Sequence, residues 1–513
     1  MSKDYLKYLF KSKKSLCVVV IVLYILFFVT AVVSNSEALE RFVDSLLVNC
    51  IITGLLAYAL VPIFFSFIHN KKAVDAYFAL PVTRKEMIVT SLFFIDIVIL
   101  IPFIVLSFVS FMMGIASHLI SSLVLYIAFE LIVIVGVIVV TLFNTSLFIE
   151  ANNTFDGIVM IFAYECLPFV ILIATEVFQT CLIAGFRPIE NTRILSYLSL
   201  PASVVIAAIP KIDLFIGRSA NEVNEFAKAL PTLKFIICIA WHVLVSLIII
   251  RRNFIERKVE RAENISDRFF SYPFVIYVYT LLLVLMVTLS SFDNRGDFAV
   301  LIVVVFVCYM IGKFIYRRSI SIKPKDIIYY FVVVVIAFIF TFASNKTKGF
   351  GLSYGYDQNP KNIAFEYELY NFDNNDEDVI NLVKEVYPNA TYVSIHIDGA
   401  IKEKAMSNAQ DVVKLLETKR LQAINNYYDT NNHDDAALLI TTNYDEKTNV
   451  QGSMTSYYLD AKDYCRYYSS PYLSLDEINL LNNHNFNIIF NIEDENDYYG
   501  INYYDLLKQK NNK

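Results

Sequence analysis

The sequence predicts a mainly α-helical membrane protein of about nine transmembrane helices, N-terminus in and C-terminus out, with a C-terminal α+β extracytoplasmic domain. Three observations predict it. Hydrophobic residues make up 56% and charged residues 18% of 513 residues, too apolar for a soluble chain of this length. Long apolar runs repeat up to about Ser344, and Asp, Asn, Lys and Tyr dominate beyond it. Lys and Arg gather in alternate short loops, the bias that sets orientation in membranes. The net charge of -6 conceals a division, since the tail from Asn345 carries 26 acids against 15 bases and the rest is slightly basic. A basic surface for nucleic acid is absent.

A helix needs about 20 apolar residues to cross the hydrocarbon core. The runs that qualify are Ser15–Val33, Leu46–Phe67, Ile88–Met113, Ser121–Phe143, Gly157–Ala184, Leu233–Ile250, Tyr272–Phe292, Phe298–Tyr316 and Ile327–Ala343. The first lacks a small-x-small cleavage site, so it reads as an uncleaved anchor. Cys17 lies at the wrong end of it for a lipoprotein cysteine. Before it, Tyr5, Leu6, Tyr8, Leu9 and Phe10 stand among lysines. That suits either a short helix in the inner interface or a solvated basic terminus.

The N-terminal lysines, Lys71, Lys72, Arg84 and Lys85, the cluster from Arg251 to Arg268, and Arg317, Arg318, Lys323 and Lys325 all share one side if there are nine crossings. Ile194–Gly217 is apolar enough to raise a tenth. A crossing there would move every later basic loop outside, and Pro201 and Pro210 interrupt the run. It is expected to dip into the membrane from the outer face and return.

Between the second and third runs lies Lys71–Met87, KKAVDAYFALPVTRKEM. Thr83 and Glu86 form a T-x-x-E capping box that opens the third span, and Pro81 stops any preceding helix. Val74, Tyr77, Phe78 and Leu80 give a short amphipathic helix. Large apolar side chains exposed at such a place call for a protein partner.

This stretch resembles the D-x-x-x-x-L-P-[ST]-R-x-[EQ] segment of ABC transporter permeases of the type-2 exporter class, in the Gram-positive subgroup with an extra outer domain. Asp75, Leu80, Pro81, Thr83, Arg84 and Glu86 match, with Val82 inserted before Thr83. A second similarity, to the family's R-x-F-x-x-R-x-x-E after its sixth span, falls on Arg252, Phe254, Arg257 and Glu260. The resemblance implies a six-helix permease core over 1–250, three further spans over 251–343 and an outer domain over 344–513. It also implies a separate ABC ATPase subunit touching the first stretch, a second permease copy or paralogue, and a place in the bacterial cell membrane. The chain has no G-x-x-x-x-G-K-[ST] phosphate loop. ATP hydrolysis is therefore expected in another chain, with no catalytic residue and no cofactor in this one.

Asp96, Glu130, Glu165, Glu176 and His242 fall in or near the spans. Charged groups there are costly and face the bundle interior. They line a polar path or proton relay, or they hold helices together by hydrogen bonds. His242 beside Trp241 reads as a packed pair rather than a ligand.

In the tail, Ile363–Leu369 alternates as a strand, Asp376–Tyr387 is helical, Tyr392–Ile397 is a strand and Ala409–Tyr428 a helix. Ala437–Tyr444 and Val450–Leu459 read as a hairpin. Ser474 and Glu477 cap a helix before the strand Phe486–Phe490. Asp373–Asp378 begins like a calcium loop, but Asp378 stands at the glycine position and Lys384 at the bidentate glutamate, so no EF-hand is expected. His433–Asp435 and Glu493–Asp497 read as solvated acidic loops. Of the seven cysteines only Cys465 lies in the tail, so that domain closes no disulfide within itself, as suits a bacterial surface. A rival reading is a membrane sensor or mechanotransmitter whose outer domain binds a peptide or a cell-wall-active compound. A membrane-bound enzyme is disfavoured, since no nucleophile or metal motif stands out.

Overall fold

The computed structural model describes residues 2–34, 37–186, 197–216, 230–256, 271–290, 295–354, 361–369, 377–427, 436–444, 461–470, 473–494 and 497–511. Among them, nine helices are long and apolar enough to cross a membrane, and a sheet with its helices follows. The protein is a multi-pass, mainly α membrane protein. Two compact units divide the chain, one comprising Met1–Leu172, Arg193–Leu282 and Phe306–Lys323, the other Ile173–Thr192, Leu283–Val305 and Pro324–Lys513.

The first unit opens with α1 (Lys3–Ser12) and α2 (Lys14–Ser34). The N-terminal stretch is helical, with Tyr5 and Leu9 of α1 buried. In α2 the buried residues Val20, Tyr24, Phe28 and Ala31 recur at helical spacing, while Val18, Ile25 and Val29 are exposed. An apolar side chain facing outward is expected where lipid replaces water. α3 (Ala38–Phe65) ends in a 3-10 turn, Ser66–His69, before α4 (Lys71–Phe78). Next come α5 (Arg84–Ala116), α6 (Leu123–Glu150) and α7 (Thr154–Leu182), the last passing into the second unit.

α3 and α5 are joined by a polar seam. Ser45, Asn49 and Thr53, spaced by four, sit on one stripe of α3 and are all buried. Ser45 pairs with Ser110 at 2.8 Å, and Asn49 donates to the Phe103 carbonyl at 3.1 Å and to Ser107 at 2.9 Å. Thr53 meets the Tyr24 hydroxyl at 2.7 Å, which in turn donates to the Ile99 carbonyl at 3.2 Å. Between apolar helices in lipid such bonds contribute about 0.6–1.7 kcal/mol each, so the seam fixes register as well as adhesion.

α8 (Leu200–Phe215) occupies the segment flagged as a tenth crossing; residues 194–196 and 217 lie outside the described residues. With 16 residues it is too short to span. Pro201 starts it, Pro210 sits inside it, and Ser121 of the α5–α6 loop donates to the Phe215 carbonyl at 2.7 Å. Its Val204 lies against Gly136 of α6, where an added Cβ would stand 2.6 Å from the valine. α9 (Leu233–Ile250) runs into one π-helical turn, Arg251–Ile255. The remaining long helices are α10 (Tyr272–Ser290), α11 (Arg295–Arg317) and α12 (Pro324–Lys346).

The second unit carries a six-stranded antiparallel sheet. In chain order its elements are β1 (Ile363–Leu369), α13 (Glu377–Val386), β2 (Ala390–Ile401), α14 (Gln410–Tyr427), β3 (Ala436–Tyr444) and β4 (Ala461–Ser470). α15 (Leu475–Asn483), β5 (Asn487–Asp494), β6 (Asp497–Asn502) and α16 (Tyr503–Asn511) complete it. The strand order is β4-β3-β1-β2-β5-β6. Phe365, Tyr367, Ile395, Ile397, Ile488 and Phe490 bury one face with Val379, Val412, Ile478 and Leu506 of the helices. The opposite face carries Glu366, Glu368, Ser394, His396 and Asp398, as expected of an antiparallel sheet with one polar side.

One expected pairing is corrected. β3 pairs with Ala461–Ser470, Ala436 opposite Ser470, and not with Val450–Leu459; residues 445–460 lie outside those described. The hairpin reading assumed a short turn, but the partner strand begins further along the chain. β6 and α16 are not marked locally in the sequence, because Asp497–Asn511 mixes strand and helix formers without a clear period.

Candidate functional site

The candidate functional residues fall in three places: the α4 region, the polar groups within the spans, and the polar sheet face. α4 starts at Asn70, whose side chain accepts from the Ala73 amide at 3.2 Å. It ends at Ala79 and a turn through Pro81, and Thr83 and Glu86 then form the expected capping box that opens α5. Thr83 Oγ1 accepts from the Glu86 amide at 3.2 Å, and Glu86 Oε2 accepts from the Thr83 amide at 3.3 Å.

The exposed apolar surface expected here is corrected. Val74 is fully buried, and Tyr77, Phe78 and Leu80 are half-buried against the chain itself. The Tyr77 ring stacks on Phe67 at 4.1 Å. Burial, with Tyr8 nearby, pushes the Tyr77 phenol above its ordinary pKa. Phe78 sits edge-to-face with Phe254 at 6.2 Å and carries the Arg84 guanidinium over its ring at 4.1 Å. The apolar stripe is spent on internal packing because the 3-10 turn, α1 and the π-helical turn converge on it. What α4 leaves exposed is Lys71, Lys72, Asp75, Ala76 and Ala79.

The same region joins two stretches far apart in sequence. Arg84 Nη1 donates to the Ile255 carbonyl at 3.2 Å, and Phe254 also meets Phe65. Asn253 donates to the Glu150 carboxylate at the end of α6, and His69 Nε2 lies 3.1 Å from the Phe148 and Ala151 carbonyls. Leu80, Pro81, Thr83, Arg84 and Glu86 therefore stand on one connected structure with Arg252 and Phe254. Arg257 and Glu260 lie outside the described residues.

The polar groups of the spans are not gathered into one site. Asp96 accepts from Thr141 at 2.7 Å. Glu130 and Glu165 each keep one buried carboxylate oxygen without a hydrogen-bond partner among the described residues, and Tyr58 approaches Glu165. Glu176 is half-buried on α7. His242 is buried, its Nδ1 2.8 Å from the Cys238 carbonyl and its ring edge-on to Phe143 at 4.8 Å. Trp241 is 61% exposed, so the histidine packs with Phe143 rather than with its neighbour. No hydrogen bond or ion pair joins any two of these five among the described residues.

The third place carries metal-competent side chains that no single local sequence motif marks. On the polar sheet face Glu368 lies opposite His396, and Glu366 opposite Asp398. His396 Nδ1 is 3.1 Å from a Glu368 oxygen and 3.7 Å from a Glu366 oxygen, and its Nε2 is 3.8 Å from Asp398. The signal in the sequence is E-x-E in one strand and H-x-D in another, both on the polar phase. Of the acidic loops considered from the sequence, Asp373–Asp376, His433–Asp435 and Glu495 lie outside the described residues. Between α14 and the end of α15, His484 Nε2 bonds Asp411 at 3.0 Å and holds that carboxyl below its usual pKa.

No family model, no curated protein and no solved structure matches this chain.

Proposed function

We propose that this chain is the membrane-spanning permease subunit of an ATP-binding cassette transporter in the bacterial cell membrane. It couples hydrolysis by a separate ATPase to export, with a second permease copy or paralogue, and is not itself an enzyme. The observation that carries this reading is the meeting of the two permease-like stretches: Arg84 reaches the Ile255 carbonyl across 171 residues, and Phe78 packs on Phe254. A force applied to α4 passes directly into α5 through the capping box and into α9 through the π-helical turn. That is the connection a coupling helix requires. In this proposal residues 1–250 form the permease core, 251–343 add three spans and 344–513 form the outer domain.

The orientation proposed is N-in and C-out. It rests on the bias of Lys and Arg: with one crossing per long helix, the chain order puts α1, α4, Arg251, Arg252 and Arg318 on one side. In a background lacking Cys465, Lys402→Cys should react with an impermeant thiol reagent in intact cells, and Lys72→Cys only after permeabilisation. Both positions are exposed, so the reverse pattern would discard this orientation. The function itself is tested by isolating the chain from its native membrane and identifying its partners by mass spectrometry. A chain bearing a phosphate loop is expected in stoichiometric amount, with ATP hydrolysis in lipid nanodiscs. Recovery without any ATP-binding chain would remove the proposal.

A further inference from the structure

The geometry points to a binding site for a divalent transition-metal ion, zinc-like in its preference, formed by Glu366, Glu368 and His396 on the polar sheet face. The inference stands independently of the permease reading. The three side chains offer one nitrogen and two carboxylate oxygens, all within 4.8 Å of one another. Around an ion with bonds of about 2.0–2.2 Å, tetrahedral ligands stand roughly 3.3 Å apart. The separations of 3.1 and 3.7 Å from His396 Nδ1 to the two glutamates bracket that value. Modest side-chain rotation brings the glutamate oxygens to the same radius.

Two features separate this arrangement from acidic residues merely close together. The donors stand on paired strands, with Glu368 directly opposite His396, so the backbone ladder and not a loop sets their spacing. An acidic side chain also stands behind the imidazole, outside hydrogen-bond reach in this arrangement. Its Nε2 faces Asp398 at 3.8 Å, and Asp398 is itself fixed by the Asn487 side-chain amide at 2.8 Å. A carboxylate behind the ligating histidine fixes its tautomer and orientation in most metal sites. The mixed nitrogen and oxygen set favours zinc and its neighbours over calcium or magnesium, which take oxygen ligands. The side chains are between 24% and 33% exposed, which leaves a coordination position open to solvent or to a ligand.

The test uses the full-length chain in detergent with its purification tag removed, titrated with zinc against a competing chelating dye. One zinc per chain is expected, and calcium or magnesium in large excess should not displace it. His396→Ala and the double variant Glu366→Gln with Glu368→Gln should each weaken binding more than tenfold. Asp398→Asn should weaken it by about tenfold, the range for a group behind a ligand. The glutamine variants keep shape and size, so a folding defect in His396→Ala leaves the test intact, and circular dichroism checks each variant. Zinc bound equally by wild type and by both ligand variants would overturn the site. So would displacement by calcium at equal concentration, or no binding by the wild type.

Discussion

Ala79→Arg is expected to release the ATPase proposed to dock on α4 while leaving the membrane fold intact. Lys72, Asp75, Ala76 and Ala79 share the exposed face of α4, at the i, i+3, i+4, i+7 spacing of one helical stripe. The two alanines let another chain approach closely. An arginine there places a charge and a long side chain inside that contact, and an uncompensated buried charge costs about 3–5 kcal/mol, more than ~100-fold in affinity. Ala79 adopts right-handed helical backbone angles and follows the last turn of α4, so the substitution strains nothing. Ala76→Arg should behave in the same way. Phe78→Asp should differ, because Phe78 packs on Phe254 and under Arg84. It should lower thermal stability as well as co-purification. If both alanine variants retain full co-purification and stimulated hydrolysis, the exposed face of α4 is not the docking surface.

Gly399→Val is expected to unfold the C-terminal sheet locally and leave the spans unaffected. A Cβ at Gly399 would stand 2.0 Å from Phe486 Cδ1 and 2.6 Å from Cε1. The Phe486 ring is held against Phe365 at 4.8 Å and is largely buried, so it has little room to retreat. Overpacking of this kind costs about 1–3 kcal/mol. Hydrogen exchange in the full chain should show faster opening of β2 and β5, with α3 and α5 unchanged. Phe486→Ala in the Gly399→Val background should recover part of the loss, since it removes the obstacle along with some packing. Unchanged exchange in β2 would contradict the contact.

The sequence made legible what depends on local composition and little that depends on pairing. Each span was readable because a run such as Val18–Val29 is apolar on every side, whatever its neighbours. The ends were less so: α3 begins at Ala38, eight residues before the apolar run, since Glu40, Arg41 and Asp44 are compatible with a helix outside the hydrocarbon. Asn49 and Thr53 disappear into the mean hydropathy of that run and Ser45 adjoins it, although their spacing by four signals a shared stripe. The capping box at Thr83 and Glu86 was visible because both partners lie within one turn. Its contact with Ile255 was not, since nothing local marks a carbonyl 171 residues away as its partner. The apolar side chains of α4 read as exposed for the same reason: Phe67, Phe254 and Tyr8 cover them only once the chain has folded. Glu366, Glu368 and His396 were each visible on strand phase, but only the β1–β2 register brings them together.

The proposed docking of an ATPase on α4 is tested most directly by site-specific photocrosslinking at Ala79 in native membranes. Ala79 is exposed and adjoins the turn that leads to Thr83, so a photoreactive residue there leaves the internal contacts of Phe78 and Arg84 in place. The account predicts one dominant adduct containing a phosphate-loop ATPase, lost when Ala76→Arg is added. An adduct with lipid alone, or an ATPase captured from the polar sheet face and not from Ala79, would contradict it.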